Sequence, residues 1–427
     1  PLARIETVTW IALNTPPSDK EFRIASSEGG TVSTEIAPDA ATCAECLAEI
    51  RDPKNRRYRY PFTNCTHCGP RLSIVEGIPY DRAATSMRAF KMCDDCQSEY
   101  DDPSDRRFHA QPNACSACGP RLWLEDTGGE IACDDPLVET ARLLCDGAIV
   151  AIKGVGGFHL ACNATNAEAV AELRRRKHRV AKPLAVMARS VEEIRCHCQV
   201  SAEETRLLSS SAAPIVLLQN RNDKGLPGIA PGQSCTGFML PYSPLHHLLL
   251  DALDEPIVLT SGNTSGTPQV TCNETARKEL ATIADAWLFH DRDIVNRLDD
   301  SVARVDLGKP YILRRGRGLA PASLHMAEAF ADAPPTLALG AELKSTFCLM
   351  KGGHAILSQH IGDLKNAETL ADFQEKITLF RDLFRFEPEV IGVDLHPDYL
   401  STKWGRSFAQ EMGAKLVAIQ HHHAHLV

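Results

Sequence analysis

The sequence predicts a multidomain α/β protein that carries two small metal-stapled modules near its start. Three observations lead to this prediction. A C-x2-C-x18-C-x2-C array occurs twice, shifted by fifty positions. Between about residues 129 and 325, apolar runs of strand length alternate with helical patterns, and a similar alternation fills the last hundred residues. With 427 residues and 44% hydrophobic content, the chain is long enough for several domains of about 100–200 residues.

These patterns divide the chain into four predicted segments. Residues 1–38 precede the cysteine arrays. Residues 39–128 contain both arrays. Residues 129–325 are predicted to form one α/β domain, and residues 326–427 a further α/β segment.

The two arrays predict two structural zinc sites. The ligand sets are Cys43, Cys46, Cys65 and Cys68, and Cys93, Cys96, Cys115 and Cys118. A two-residue gap lets a tight turn aim two thiolates at one tetrahedral Zn2+, and four cysteines leave no open coordination position for catalysis. The surrounding sequence is too polar to bury much core, so we expect the metal to hold each module folded. The copies share flanking sequence as well, which identifies an internal repeat.

Paired cysteines also form disulfide frameworks, but those occur in secreted proteins. The first residues lack a charged start followed by an apolar core, and no stretch approaches the ~20 apolar residues of a membrane span. The other eight cysteines show no paired spacing. We therefore expect reduced thiols in a cytoplasmic protein with no membrane partner.

Zinc modules often bind nucleic acid, but the charge of this region does not favour it. The whole chain has a net charge of −9. Between Cys43 and Cys118 it carries eleven Lys and Arg against eleven Asp and Glu. A duplex-binding module should instead present a basic face. A local patch at Arg56, Arg57 and Arg59 leaves that alternative open, yet we expect no nucleic-acid partner.

The segment from 129 to 325 is predicted to alternate strands with helices. Predicted strands cover 147–153, 183–188, 214–218, 256–261 and 311–313. Predicted helices cover 167–177, 191–196, 245–253 and 274–280.

Three stretches of this segment carry candidate chemistry. Residues 174–184 place six cations between a helix and a strand. These cations could bind a triphosphate, or they could be the solvated C-terminal end of the helix. Residues 259–268 run from a strand into small hydroxyl and amide residues, which is also the composition of an ordinary polar loop. Residues 296–301 and 313–318 set arginines beside glycine turns, where they can close on phosphate or face water.

Taken together, these three stretches resemble the YrdC-like domain. The resemblance lies in Lys177-x-Arg179 before Lys182-Pro183-Leu184, then Ser261-x-Asn263, then Ile312-Leu313-Arg314. Members of that family use ATP to make carbamoyl or threonylcarbamoyl adenylates. The resemblance implies catalytic roles for Lys177, Arg179, Ser261 and Asn263. The expected nucleotide-binding residues are Lys153, Lys177, Arg179, Lys182, Ser261, Asn263, Arg297 and Arg314. Lys153 precedes a glycine turn that is equally well explained as a plain turn.

The finger sequences extend the resemblance to nearly the whole chain. The run from Arg56 to Arg71, with Asp105 to Pro112 in the second copy, is similar to the HypF family of hydrogenase-maturation carbamoyltransferases. That family implies an acylphosphatase-like domain, two fingers, a YrdC-like domain and a carbamoyltransferase domain of the sugar-kinase/actin type. It implies ATP, Mg2+, carbamoyl phosphate or carbamate, and a HypE-like partner whose C-terminal cysteine receives the carbamoyl group.

Two other functions stay open. One is threonylcarbamoyl-adenylate synthesis for tRNA, which the finger pair and the attached transferase segment disfavour. The other is a non-catalytic zinc scaffold that docks a partner. Residues 1–38 resemble only the tail of the acylphosphatase-like domain, without its V-Q-G-V-G-F-R loop. This departure from the family pattern puts hydrolysis of carbamoyl phosphate in doubt for this sequence.

The last hundred residues resemble the first lobe of the sugar-kinase/actin fold, without the second. A strand is predicted from Thr336, then a hairpin through 351–353, a helix over about 367–385, and strands at 390–394 and 415–420. The apolar spacing of the helix suits packing of one face against a sheet. His421 and His425 lie one helical turn apart, which permits two nitrogens on one divalent ion. A further divalent metal is therefore a candidate there, and an incidental run of histidines is the alternative. The resemblance implies one carboxylate ligand further along, which this sequence does not include, so a metal would be weakly held or absent.

Overall fold

The computed structural model describes residues 36–221, 225–264 and 266–427. The expectation for residues 1–38 therefore falls almost wholly outside the described residues. Ser265, in the polar stretch after residue 259, lies outside them as well.

The cysteine region folds as two similar modules in mutual contact. Each contains one short helix that begins directly after a cysteine, α1 (Ala44–Arg51) and α2 (Asp94–Asp101). The buried Arg57 of the first module pairs with Glu99 of the second at 2.5 Å and donates to the Ala114 carbonyl. Arg107 and Glu49 form the equivalent pair in the opposite direction. The sequence repeat therefore produces a reciprocal interface between the two copies.

Ion pairs also involve all three arginines of the basic patch, Arg56, Arg57 and Arg59. Arg56 pairs with Glu99 at 2.6 Å, and Arg59 pairs with Asp135 at 2.6 Å. Since Arg57 is also paired and buried, the three arginines do not form a free basic face. The observation that left a nucleic-acid alternative open is thus explained by internal ion pairs.

An eleven-stranded mixed sheet follows the modules. Its spatial order is β11-β10-β6-β7-β5-β8-β4-β3-β9-β1-β2. The strands are β1 (Leu122–Asp126), β2 (Gly129–Glu130), β3 (Val150–Lys153), β4 (Phe158–Asn163), β5 (Ala185–Met187), β6 (Ile215–Gln219), β7 (Cys235–Met239), β8 (Ile257–Ser261), β9 (Ala286–His290), β10 (Val302–Asp306) and β11 (Lys309–Arg314). The five predicted strands match β3, β5, β6, β8 and β11 with shifted ends, but the other strands of this sheet were not predicted.

Helices cover both faces of this sheet. They are α3 (Pro136–Cys145), α4 (Ala167–Arg176), α5 (Val191–His197), α6 (Ala202–Leu208), α7 (Pro244–Asp251) and α8 (Asn273–Glu279). One core joins α4, α5 and α8 to one face through residues such as Leu173 and Ile194. A second core joins α3 and α7 to the other face through Leu144 and Leu249, and Ile50 of α1 enters it. The four predicted helices match α4, α5, α7 and α8.

The C-terminal part contains a six-stranded sheet in the order β12-β15-β14-β13-β16-β17. Its strands are β12 (Ser323–His325), β13 (Thr336–Ala338), β14 (Cys348–Lys351), β15 (His354–Leu357), β16 (Val390–Asp394) and β17 (Lys415–Ile419), and its helices are α9 (Ala367–Leu383), α10 (Leu400–Met412) and α11 (His421–Leu426). Its core holds Phe347 and Phe373 of this part together with Leu72 and Leu298 of the preceding parts. The C-terminal part is therefore packed directly onto the first module and onto the segment between β9 and β10.

Among the described helices, none combines the length and apolar character that a bilayer crossing needs.

Candidate nucleotide and metal sites

The two cysteine sets form two compact sulfur clusters. Around the first, Sγ atoms lie 3.6 Å (Cys43 to Cys65), 3.8 Å (Cys65 to Cys68) and 3.5 Å (Cys68 to Cys46) apart. The second cluster has matching distances of 3.7, 3.8 and 3.6 Å. Four sulfurs at about 2.3 Å from a tetrahedral Zn2+ would lie about 3.8 Å from one another. The donor set and its spacing therefore fit zinc, and in the described residues no other group of three or more metal-binding side chains comes as close together.

Each cluster receives an arginine from the other module. Arg106 donates to the Sγ of Cys46 at 3.1 Å, and Arg56 donates to the Sγ of Cys96 at 3.4 Å. Such donors offset thiolate charge and orient the ligands. Arg56 and Arg106 occupy matching positions in the repeat, which was a sequence signal for a shared role. The sequence did not show that each arginine contacts the cysteine cluster of the other module.

The structure brings Lys177 onto the turn that contains Ser261 and Asn263. The Lys177 Nζ donates to the Ser261 carbonyl at 2.5 Å and to the backbone and side-chain oxygens of Asn263 at 2.8 Å each. The Ser261 hydroxyl also donates to the Asn263 Oδ1 at 2.8 Å. Lys177 directly follows α4 as its C-terminal capping residue, and His178 comes next with a φ of 52°, so the chain leaves the helix sharply at this point. Burial lowers the pKa of Lys177 to about 7, assisted by Arg179 and Lys182.

Three more cations surround this contact. Burial lowers the pKa of Arg179 to about 10, with contributions from Arg174 and Arg314. Burial also lowers the pKa of Lys182, and Arg179 and Arg314 add to the effect. In the described part of the chain, Lys177, Arg179, Lys182 and Arg314 have no ion pair with a carboxylate. Asp299 and Asp363 offset part of the charge on Lys182. The remaining positive charge, in a partly desolvated site, attracts polyanions.

Not all the cations of the basic stretch belong to this group. Arg174 donates to the Gly228 and Ile229 carbonyls, and Arg175 pairs with Glu172 at 2.7 Å. Arg176 pairs with Asp285 at 2.6 Å. Arg174 and Arg176 therefore fix α4 to its neighbours, and Arg175 pairs within the exposed helix face, so the solvated-end interpretation and the phosphate interpretation each apply to part of the stretch.

Two predicted nucleotide-binding residues have other contacts. Lys153 is 2% exposed and donates to the His290 carbonyl at 3.0 Å, and burial lowers its pKa to about 8. Arg297 pairs with Asp372 of α9 at 2.7 Å and donates to the Ile361 carbonyl. Arg297 thus joins the first sheet to the C-terminal part. A nucleotide contact for either residue stays a prediction.

Asp299 was not among the predicted site residues. Its Oδ2 lies 2.7 Å from the Nδ1 of His360 in the C-terminal part. The pKa of Asp299 is lowered: burial opposes ionisation, but Arg297, His360 and Arg314 outweigh it. Asp299 therefore links the cation group to the C-terminal part. The sequence signal that could have identified Asp299 was its position two residues after Arg297 in the third stretch.

At the C-terminal end, His421 and His425 lie on α11 with ring centroids 4.9 Å apart. The Nδ1 of His421 lies 2.6 Å from the Oδ2 of Asp394, at the end of β16. This contact leaves the Nε2 of His421 for another ligand.

Family models match three parts of the chain. The model described as HypF finger matches residues 42–75 and 92–125, and the Sua5/YciO/YrdC model, described as Telomere recombination, matches residues 142–316. The model described as HypF Kae1-like domain matches residues 331–427.

Relatives and solved structures that are similar to this chain also carry the family name HypF. The carbamoyltransferase HypF of Rhodobacter capsulatus is 50% identical over 100% of this chain and 57% of its own length. A crystal structure of full-length HypF in the phosphate- and nucleotide-bound form has a TM-score of 0.87 and 50% identity, and the match covers 92% of this chain and 51% of that one. The T. kodakarensis HypF structure has a TM-score of 0.89 and 44% identity, covering 92% and 52% of the two chains. This chain spans about half the length of these relatives.

Proposed function

Because this chain belongs to the HypF family over the finger, YrdC-like and Kae1-like segments that it spans, we propose that it forms carbamoyl adenylate from ATP and carbamate. A carbamate oxygen bonds to the α-phosphorus of ATP, the bond to the β-phosphate bridging oxygen breaks, and pyrophosphate leaves. The observation that carries the proposal is the group of four cations without carboxylate partners at the Ser261–Asn263 turn.

The four cations reduce the electrostatic repulsion between the two substrates of this reaction. Carbamate and ATP are both anions, so their approach costs Coulomb energy. Lys177, Arg179, Lys182 and Arg314 offset that energy and stabilise the charge that develops on the phosphates. The hydroxyl of Ser261 and the amide of Asn263 supply uncharged contacts for the nucleotide or the carbamoyl group. Mg2+, when bound, would supply charge neutralisation on the departing pyrophosphate.

The second step of the proposal is transfer of the carbamoyl group to the C-terminal cysteine of a HypE-like protein. The cysteine sulfur bonds to the carbonyl carbon, and AMP leaves. Carbamoyl adenylate reacts with water, so an internal route to the Kae1-like part protects it. Two contacts support such a route, since they join the proposed adenylate site to that part. Asn366 at the start of α9 donates to the Gly266 carbonyl at 2.7 Å, and His360 contacts Asp299.

The zinc modules have a structural role in this proposal. Both clusters use all four sulfurs, and both lie apart from the cation group in the sequence and in their contacts. Their metal fixes the platform onto which the first sheet packs through Ile50.

ATP–pyrophosphate exchange tests the proposal. We expect exchange that depends on added carbamate in the zinc-loaded chain. Lys177→Met and Ser261→Ala should each abolish it while zinc stays at two per chain. Arg175→Met is the matched control on the same helix, because Arg175 is exposed and pairs only with Glu172.

Three outcomes would count against the proposal. Exchange that requires threonine would indicate threonylcarbamoyl-adenylate synthesis instead. No exchange under any condition, with both zinc sites loaded, would favour a non-catalytic scaffold. Unchanged exchange in both variants would overturn the assignment of the phosphate site.

A further inference from the structure

A carboxylate, that of Asp299, borders the cation group without pairing with Arg314. Burial opposes ionisation of Asp299, but Arg297, His360 and Arg314 together lower its pKa, so Arg314 lies within electrostatic range. Among the described residues, the ion pairs of Asp299 are instead with Arg297 at 3.3 Å and with His360 at 2.7 Å. Carboxylates and guanidinium groups form strong paired hydrogen bonds, so the lack of a pair with Arg314 requires an explanation.

The backbone keeps Asp299 beside the end of β11, which carries Arg314. The Arg317 amide donates to the Asp299 carbonyl at 2.8 Å. A side chain at Gly316 would place its Cβ 2.1 Å from the same oxygen, so only glycine allows the two segments to approach this closely. The Asp299 side chain can change its rotamer, but its backbone stays in the neighbourhood of Arg314.

Two residues hold the Asp299 carboxylate, and both are attached to the C-terminal part. His360 belongs to that part: its Nδ1 lies 2.7 Å from the Asp299 Oδ2, and its backbone amide donates to the Arg315 carbonyl at 2.7 Å. Arg297 pairs with Asp372 of α9 at 2.7 Å as well as with Asp299. The docked C-terminal part therefore fixes the rotamer of Asp299.

A second carboxylate near the cations is held in a similar way. Burial lowers the pKa of Lys182, and Asp363 opposes this effect. The Oδ1 of Asp363 accepts a hydrogen bond at 2.8 Å from the amide of Lys344, which is also in the C-terminal part. Asp363 is exposed, so water screens its charge. Asp299 is therefore the stronger potential competitor for the cations.

We propose that His360 is a positioning residue of the proposed adenylate site, which holds Asp299 away from Arg314 and so keeps Arg314 available for the phosphates of the nucleotide. Without His360, the Asp299 carboxylate turns to Arg314 and neutralises it in place of the substrate anion. The inference rests on the proposed function only through the cation group, which it takes to bind nucleotide phosphates. The C-terminal part thereby contributes to a site in the YrdC-like segment.

Calorimetric titration with ADP tests this role through a double-mutant cycle. His360→Ala should weaken ADP binding about tenfold, because the nucleotide loses one charge-assisted contact to Arg314. In an Asp299→Asn background, the same substitution should change the affinity by no more than about threefold, since no carboxylate is left to pair with Arg314. An equal loss in both backgrounds would indicate a packing role alone and would overturn the proposal.

His360→Asn is the conservative control. The amide nitrogen of asparagine can take the place of Nδ1 and donate to Asp299, so the affinity should stay within about threefold of the wild type. If His360→Ala does not fold, His360→Phe keeps the ring without the donor and should show the same loss and the same rescue by Asp299→Asn. An ADP affinity that neither His360→Ala nor His360→Phe changes would overturn the proposal.

ADP binding and pyrophosphate exchange distinguish this inference from the proposed function. Exchange that requires threonine, together with rescue by Asp299→Asn, would overturn the proposed function and leave the role of His360 intact. Exchange that requires carbamate, with an ADP affinity that does not respond to His360→Ala, would do the reverse.

Discussion

The Nη1 of Arg106, in the second zinc module, lies 3.1 Å from the Sγ of Cys46 in the first module. Arg56 makes the corresponding contact to Cys96 at 3.4 Å. Each cluster of four cysteines therefore accepts a hydrogen bond from a side chain of the other copy. The two modules depend on each other, because each cysteine cluster accepts a hydrogen bond from an arginine of the other module.

This crossing predicts that a mutation in one module weakens the metal site of the other. Arg106→Met should speed zinc release from the Cys43 cluster by about tenfold or more, because outer contacts of this kind contribute 10–100-fold to metal affinity. Arg56→Met should do the same for the Cys93 cluster. Chelator competition with thiol alkylation and mass spectrometry identifies the cluster that opens.

Lys91→Met serves as the control, since Lys91 is an exposed basic residue of the second module. Faster release from the module that carries the substitution, with the other unchanged, would contradict the crossed arrangement.

The lowered pKa of Lys177 predicts proton uptake on nucleotide binding. With a folded-state pKa of about 7 against 10.5, the unfolded chain binds more protons between those pH values, so the stability penalty is present below pH 7 and disappears as pH rises. A bound polyanion raises this pKa again. At pH 8 we expect close to one proton taken up per ADP bound, and the affinity should fall as pH rises from 7 to 9.

Calorimetry in buffers of different ionisation enthalpy measures this proton. Lys177→Met should abolish the uptake. Uptake that persists in the variant would assign the proton to another group.

The buried pair of Arg297 and Asp372 predicts a strong effect on the contact between the first sheet and the C-terminal part. Asp372→Ala leaves a buried guanidinium with only part of its partners, which should cost about 2–4 kcal/mol. Urea denaturation should show a lower midpoint, with faster hydrogen exchange in α9. Asp382→Ala is the control on the same helix, because Asp382 is exposed. Equal midpoints for both variants would show that the pair does not hold the parts together.

The contact between His421 and Asp394 predicts a third, weaker metal site. After both cysteine clusters are loaded, Co2+ should bind at one further site through His421 and His425. His425→Ala should remove it, and Asp394→Asn should weaken it about tenfold, because the carboxylate orients the ring. The Co2+ absorption spectrum separates this site from the thiolate centres. Cobalt binding that stops at two ions per wild-type chain would exclude the site.

Local sequence signals carried much of the fold prediction. The cysteine repeat gave both metal clusters, and the strands and helices with clear apolar periods were found within a few residues. Strands such as β4 and β9 were missed because polar side chains such as His159, Asn163 and His290 interrupt or end their apolar runs, although every residue in them is buried. A strand buried on both faces shows no alternation of apolar and polar residues, so its pattern resembles that of any short apolar run.

The sequence by itself determined the ligand sets of the two sulfur clusters and the family to which the motifs belong, because both depend on residue type and short spacing. Only the tertiary structure decided which of the described cations lack a carboxylate partner. Arg174, Arg175, Arg176 and Lys177 are adjacent in the chain, yet the first three have partners in α4 and its neighbours, and only Lys177 reaches the turn at Ser261. Long-range packing selects the partner of each side chain, and local sequence does not contain that information.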